Sequence, residues 1–201
     1  MGFPDFFERV PRITLRDPLA EFLGAAEGGL IEYAYADAVR LAGHSCPTVA
    51  GAWLMSVRAL RRLYPGGTPE RGAVAVALRE DQASGVAGVI ASVATLLTGV
   101  AGAGGFKGLG GRFVRADLLR FGVAGVGGVR YTRADTGQCA DCVLDLSSVP
   151  ADPRLGRMLS GLLRGDSSAE EAALFAALWQ DRVRRILLDH HDDPNLVVMR
   201  P

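Results

Sequence analysis

The chain has 201 residues, with 22 Lys plus Arg against 22 Asp plus Glu, a formal net charge of zero. That balance excludes the broad basic footprint of a nucleic-acid binder, and a hydrophobic content of 49% excludes a disordered chain. The length allows one domain with a sizeable core, and 26 glycines beside only 7% aromatics point to close packing of small side chains.

The first stretch, MGFPDFFERVPRITLRDP, carries acids and prolines early and no basic segment followed by an apolar run. It does not read as a secretory signal, and residues 1 to 16 read as an arm. Asp17-Pro18 fits an N-cap and first helical position of a short helix ending near Gly24. Ile31, Tyr33 and Tyr35 alternate with Glu32 and Ala34, a strand pattern. Asp37 to Ala42 reads as a helical turn running to Gly43. Next, Val49, Trp53, Val57, Leu60 and Tyr64 recur at steps of four and three, one face of a helix that Pro65-Gly66-Gly67 ends. Arg58, Arg61 and Arg62 read as its solvated face.

Gly72 to Leu78 (GAVAVAL) reads as a strand buried on both faces. Val86 to Val100 reads as a buried helix, too poor in large aliphatics for a membrane span. The glycine-rich loop GAGGFKGLGGRF follows. Val129–Arg133 and Val143–Ser147 form an expected hairpin about Asp135-Thr136-Gly137. Asp152-Pro153 opens a helix that stops at Gly165, and Ser168 with Glu171 is a capping box. Behind that box, Phe175, Leu178, Trp179, Val183, Ile186 and Leu187 make an apolar helical stripe. The tail DDPNLVVMRP fits a terminal strand. The fold class is therefore α+β. Residues 1–29 form an N-terminal arm and short helix, 30–150 the core, and 151–201 a C-terminal helical extension.

The chemistry gathers at residues 41–54, LAGHSCPTVAGAWL. Proline is favoured in the first turn of a helix, where its missing N–H costs nothing. Cys46 then stands at the N-cap, with free N–H groups and the positive end of the helix facing its sulfur. Such a position favours a thiolate, which is either a nucleophile or a metal ligand. His44 lies two positions earlier, and in an extended segment those positions share a side. Imidazole and thiolate together suit zinc. A purely structural reading of the same residues is a buried cysteine at a helix start beside a histidine bonded to the backbone.

GHSCP followed by a small-residue helix resembles the motif of the FmdE family, named for one component of molybdenum formylmethanofuran dehydrogenase. The spacing to GAVAVAL, to the buried helix and to GFKGLGGRF is similar, and the resemblance covers roughly residues 30 to 150. It implies an FmdE-like core of central sheet and packed helices, usually dimeric, with a His and Cys site able to bind zinc. Two departures stand out. REDQASGVAGVIASVATLLTGV lacks the cysteine many relatives carry after the central strand, leaving Asp81 or Ser84 in its place, and no C-terminal zinc ribbon is present.

Taken together, the expectation is a cytoplasmic homodimer without nucleic-acid or membrane partners. It would be a metal-dependent enzyme or accessory protein of one-carbon or redox metabolism. His44 and Cys46 are its metal ligands or its base and nucleophile. Zinc is the expected cofactor, with haem or another transition metal as alternatives. Lys107 beside Phe106 is the candidate for binding a small-molecule ligand, orienting a carboxylate or phosphate near Cys46. A carrier or sensor module, or a subunit docking through the Phe175, Trp179 and Val183 face, are the rival readings. Cys139-Ala140-Asp141-Cys142 is a lone CxxC, weak as a zinc or redox signal, and His190-His191 reads as capping helix carbonyls.

Overall fold

A computed structural model describes residues 2–200. Apolar alternation from Val74 onward builds the main sheet, whose order is β4-β3-β5-β6-β7. Its strands are β3 (Val74–Leu78), β4 (Leu119–Arg120), β5 (Val129–Arg133), β6 (Cys139–Leu144) and β7 (Val197–Arg200). β3 and β4 are parallel; the other neighbours are antiparallel. One face carries Val74, Val76, Leu78, Val129, Tyr131, Ala140, Cys142 and Val197, all buried. The other carries Arg130 and Asp141, whose carboxylate accepts from Arg130 at 2.6 and 2.7 Å. β3 is thus sealed on one face only, with Ala75 and Ala77 half-buried, rather than on both.

Two helices cover the apolar face. α3 (Pro47–Leu63) is buried over most of its length, and α4 (Ala87–Thr98) ends at Gly99 with φ 73°. Tyr131 joins α3 to the sheet: its hydroxyl lies 2.8 Å from Ser56 Oγ, which donates to the Ala52 carbonyl at 2.8 Å. Gly51 permits the close approach of α3 to β6. A Cβ there would meet Leu144 Cδ2 at 2.2 Å.

A smaller sheet pairs β1 (Ile13–Arg16) with β2 (Leu30–Tyr33), Leu15 opposite Ile31. α1 (Pro18–Phe22) lies between them, capped by Asp17, which accepts from the Leu19 and Ala20 N–H groups. The strand stops at Tyr33, and Tyr35 opens α2 (Tyr35–Ala42) instead of extending the strand. The first residues are no loose arm. Phe6 and Phe7 sit on a 3-10 turn, buried, and Phe7 meets Tyr35 edge-on at 4.9 Å.

The C-terminal segment belongs to the same core. α5 (Leu155–Arg164) and α6 (Ala169–Arg184) pack together, with the Ser168–Glu171 capping box in place. α6 runs into a π-turn whose Ile186 and Leu187 are fully buried, and the chain returns as β7 beside β6. Among the described residues this gives six α-helices and two sheets, an α+β fold. No helix among them is long and apolar enough to cross a membrane.

Candidate functional site

Gly43 closes α2 in the left-handed region at φ 74°, and its N–H donates to the Val39 carbonyl at 2.8 Å. A side chain is disfavoured at that φ, so glycine is what lets the chain turn out of α2 and reach α3 in three residues. Those residues are His44, Ser45 and Cys46.

His44 is exposed, and its Nδ1 lies 2.9 Å from the Ala42 carbonyl. A carbonyl only accepts, so Nδ1 is the donor, and in the neutral ring the lone pair then lies on Nε2. That is the tautomer a ligand or base requires. Cys46 is half-buried, extended at φ −148° and ψ 168°, and caps α3: its sulfur accepts from the Val49 N–H at 3.4 Å. Pro47 follows at the first helical position, as its fixed φ and missing donor dictate.

Ser45, between them, is the most heavily bonded residue of the segment. Its carbonyl accepts from Trp179 Nε1 at 3.0 Å and from Gln180 Nε2 at 3.1 Å. Its hydroxyl donates to Gln180 Oε1 at 3.0 Å and lies 3.0 Å from the Tyr35 hydroxyl. Tyr35 therefore donates to Ser45. Burial pushes the Tyr35 hydroxyl well above the usual phenol range, with the Ser45 bond opposing and the Cys46 sulfur adding. Three helices thus fix one segment: α2 supplies Tyr35, α3 receives Cys46, and α6 supplies Trp179 and Gln180. In the sequence Trp179 belongs to an apolar stripe and Tyr35 to a strand pattern, and neither Gln180 nor Ser45 carries a mark of this role. The only signal was a Gln beside the Trp of that stripe.

Lys107 and Phe106 lie exposed in the glycine loop. The Lys107 ammonium donates to the Ala103 carbonyl, and Phe106 acts through its backbone, its carbonyl accepting from the Arg115 N–H at 2.8 Å. Both sets of bonds stay within the loop.

The CxxC pair lies inside β6, which starts at Cys139 and not at Val143. Positions three apart on a strand face opposite ways, so Cys142 points into the core while Cys139 shares the outer face with Asp141. Both thiols are free. Burial pushes the Cys142 thiol up to about 12. His190 and His191 fold the chain end: His190 Nδ1 lies 2.8 Å from Asp193 and His191 Nδ1 lies 3.1 Å from the Leu188 carbonyl. Arg58, expected on a solvated face, is half-buried and donates to the Asp193 carbonyl at 2.8 Å.

Zinc is matched here in kind and not in number. Imidazole nitrogen and thiolate sulfur are its preferred donors. Among the described residues, however, no three His, Cys, Asp or Glu side chains gather to hold an ion. Asp81 does not complete such a set, and its carboxylate faces Gly122, where a Cβ would meet Oδ1 at 2.6 Å. A cavity of about 410 Å³ reaches the first turn of α3 at Thr48, walled mainly by Met55, Leu78, Ile90 and Leu144. His44 and Cys46 stand outside it. No family model, curated protein or solved structure matches the chain.

Proposed function

We propose that this is an FmdE-like protein whose working centre is the His44–Ser45–Cys46 segment, a two-donor site for a soft transition metal, zinc first. One observation carries the reading. The Ser45 backbone is held from α6 while His44 keeps Nε2 available and Cys46 sits at a helix N-terminus. Two donors do not close a zinc site, so its remaining ligands come from a second copy of the chain, a substrate or water. The role that follows is that of a metal-dependent enzyme or accessory protein of one-carbon or redox metabolism. A second reading needs no metal: Cys46, half-exposed and facing backbone N–H groups, acts as a thiolate nucleophile with His44 as base.

Cobalt(II) titration separates the two. Metal binding predicts a thiolate-to-cobalt absorption band that disappears in Cys46→Ala and shifts in His44→Ala. Absence of that band, with Cys46 still rapidly alkylated, overturns the metal reading in favour of the nucleophile.

A further inference from the structure

Far from Cys46 in sequence, Asp17 anchors a buried charge cluster. Its Oδ2 accepts from Arg71 Nη1 at 2.6 Å and its Oδ1 from Arg115 Nη2 at 2.7 Å. One carboxylate therefore faces two guanidinium groups. Arg71 is otherwise satisfied: its Nε and Nη2 donate to the carbonyls of Leu97 and Leu96 at 3.0 and 3.1 Å, at the negative end of α4. Arg115 is not. Its side chain is only 9% exposed, and its Nη1 is buried with no hydrogen-bond partner.

A buried donor on a charged group is costly when unpaired. The backbone is nonetheless shaped to keep this one. A Cβ at Gly72, which holds φ 82°, would meet Arg115 Nη1 at 1.8 Å, and one at Gly99 would meet it at 3.2 Å. Burial lowers the pKa of the Arg115 guanidinium, with Asp17 opposing that shift and Arg71 adding to it.

Arg115 lines a hollow of about 330 Å³, with Arg71, Gly72, Arg112, Phe113 and Glu70 among its walls. Three of those residues are arginines. Glu70, the one acid, is already paired with Arg16 at 2.9 Å. Arg112 lies over the Phe113 ring at 4.7 Å rather than on a carboxylate. Phe113 holds φ 62°, an uncommon and strained conformation for an aromatic residue.

We infer that this hollow is an oxyanion site for the phosphate or carboxylate of a small molecule, bound between Arg112 and the unpartnered Nη1 of Arg115. The Arg112–Val114 segment is its cover, and it lifts as the anion reaches Nη1. Guanidinium pairs with either oxyanion through charge-assisted, often bidentate, bonds. The site is independent of the proposed metal centre.

The test is an NMR titration of the full chain with inorganic phosphate alone and with acetate alone, chloride serving as the ionic control. The Arg115 Nε–H and the Gly72 and Gly99 amides should shift saturably with at least one of the two. Arg112→Gln, an exposed position that spares the fold, should weaken that binding about tenfold. Saturation by phosphate alone or by acetate alone supports the site and names its ligand class. No saturable shift with either, or an unchanged affinity in Arg112→Gln, overturns the proposal.

Discussion

Ser45 and Gln180 bond each other twice across 135 residues of sequence: the Ser45 hydroxyl donates to Oε1 at 3.0 Å, and Nε2 returns to the Ser45 carbonyl at 3.1 Å. Two such bonds fix both the backbone and the side chain of the residue between His44 and Cys46. Gln180→Ala removes both and leaves the half-buried Ser45 hydroxyl without its acceptor. It should cost about 1–3 kcal/mol in urea unfolding and speed alkylation of Cys46 in the native protein. Unchanged stability with unchanged Cys46 reactivity would show that Trp179 alone holds the segment.

The close approach of α3 to β6 makes a second test. Gly51→Ala gains about 1 kcal/mol of helix propensity. It also drives a methyl into Leu144, an overpacking cost of about 1–3 kcal/mol. Leu144→Ala removes the obstacle. A double-mutant cycle should therefore show Gly51→Ala to be more favourable in the Leu144→Ala background, with a coupling of about 1 kcal/mol or more. Simple additivity would mean the Leu144 side chain moves aside freely.

Stability should fall on the alkaline side. The Cys142 thiol is pushed up to about 12 by burial, from an ordinary value of 9.0. Between those values the unfolded chain loses this proton while the folded chain keeps it. Folding then binds the extra proton, and stability declines as pH rises above about 9. The buried Tyr35 and Tyr131 hydroxyls, also raised by burial, add to the decline at higher pH. Cys142→Ala should flatten the slope of unfolding free energy against pH between 9 and 11, roughly the window of the thiol's shift. An identical slope in the variant would place the pH dependence in other groups.

Asp17 is bonded to both Arg71 and Arg115, and it also caps α1. Asp17→Asn keeps the shape and removes the charge. Because it leaves two guanidinium groups without their counter-charge, it should destabilise by about 3–5 kcal/mol. A loss below about 1 kcal/mol, the value of a cap alone, would show that the guanidinium groups find other partners.

The local part of the fold was legible in the sequence. Cys46-Pro47 as cap and first position, Gly43 and Gly165 as helix stops, and the Ser168–Glu171 box depend on residues a few positions apart. The period of the apolar residues gave α3 and α6, and a continuous apolar run gave α4, for the same reason. What escaped was set by contacts distant in sequence. Tyr35 continued the alternation of Ile31 and Tyr33, yet its ring is needed beneath Ser45 and against Phe7, and the strand ends before it. Phe6 and Phe7 looked like part of an arm because nothing nearby in the sequence covers them. Cys139 to Cys142 fell outside the strand expected to begin at Val143, because they break its apolar pattern, but pairing with β5 and the Arg130–Asp141 bond hold them in β6. Within the candidate site, His44 and Cys46 carried a motif, whereas Gln180, which fixes the segment between them, carried none.

The most direct test of the central claim is the metal content of the untagged protein as purified, by elemental analysis, beside His44→Ala and Cys46→Ala. Zinc or another transition metal should be bound in stoichiometric proportion to the chain or to a pair of chains, and lost in both variants. A metal-free wild type that takes up none when offered it, or metal retained undiminished in both variants, would contradict it.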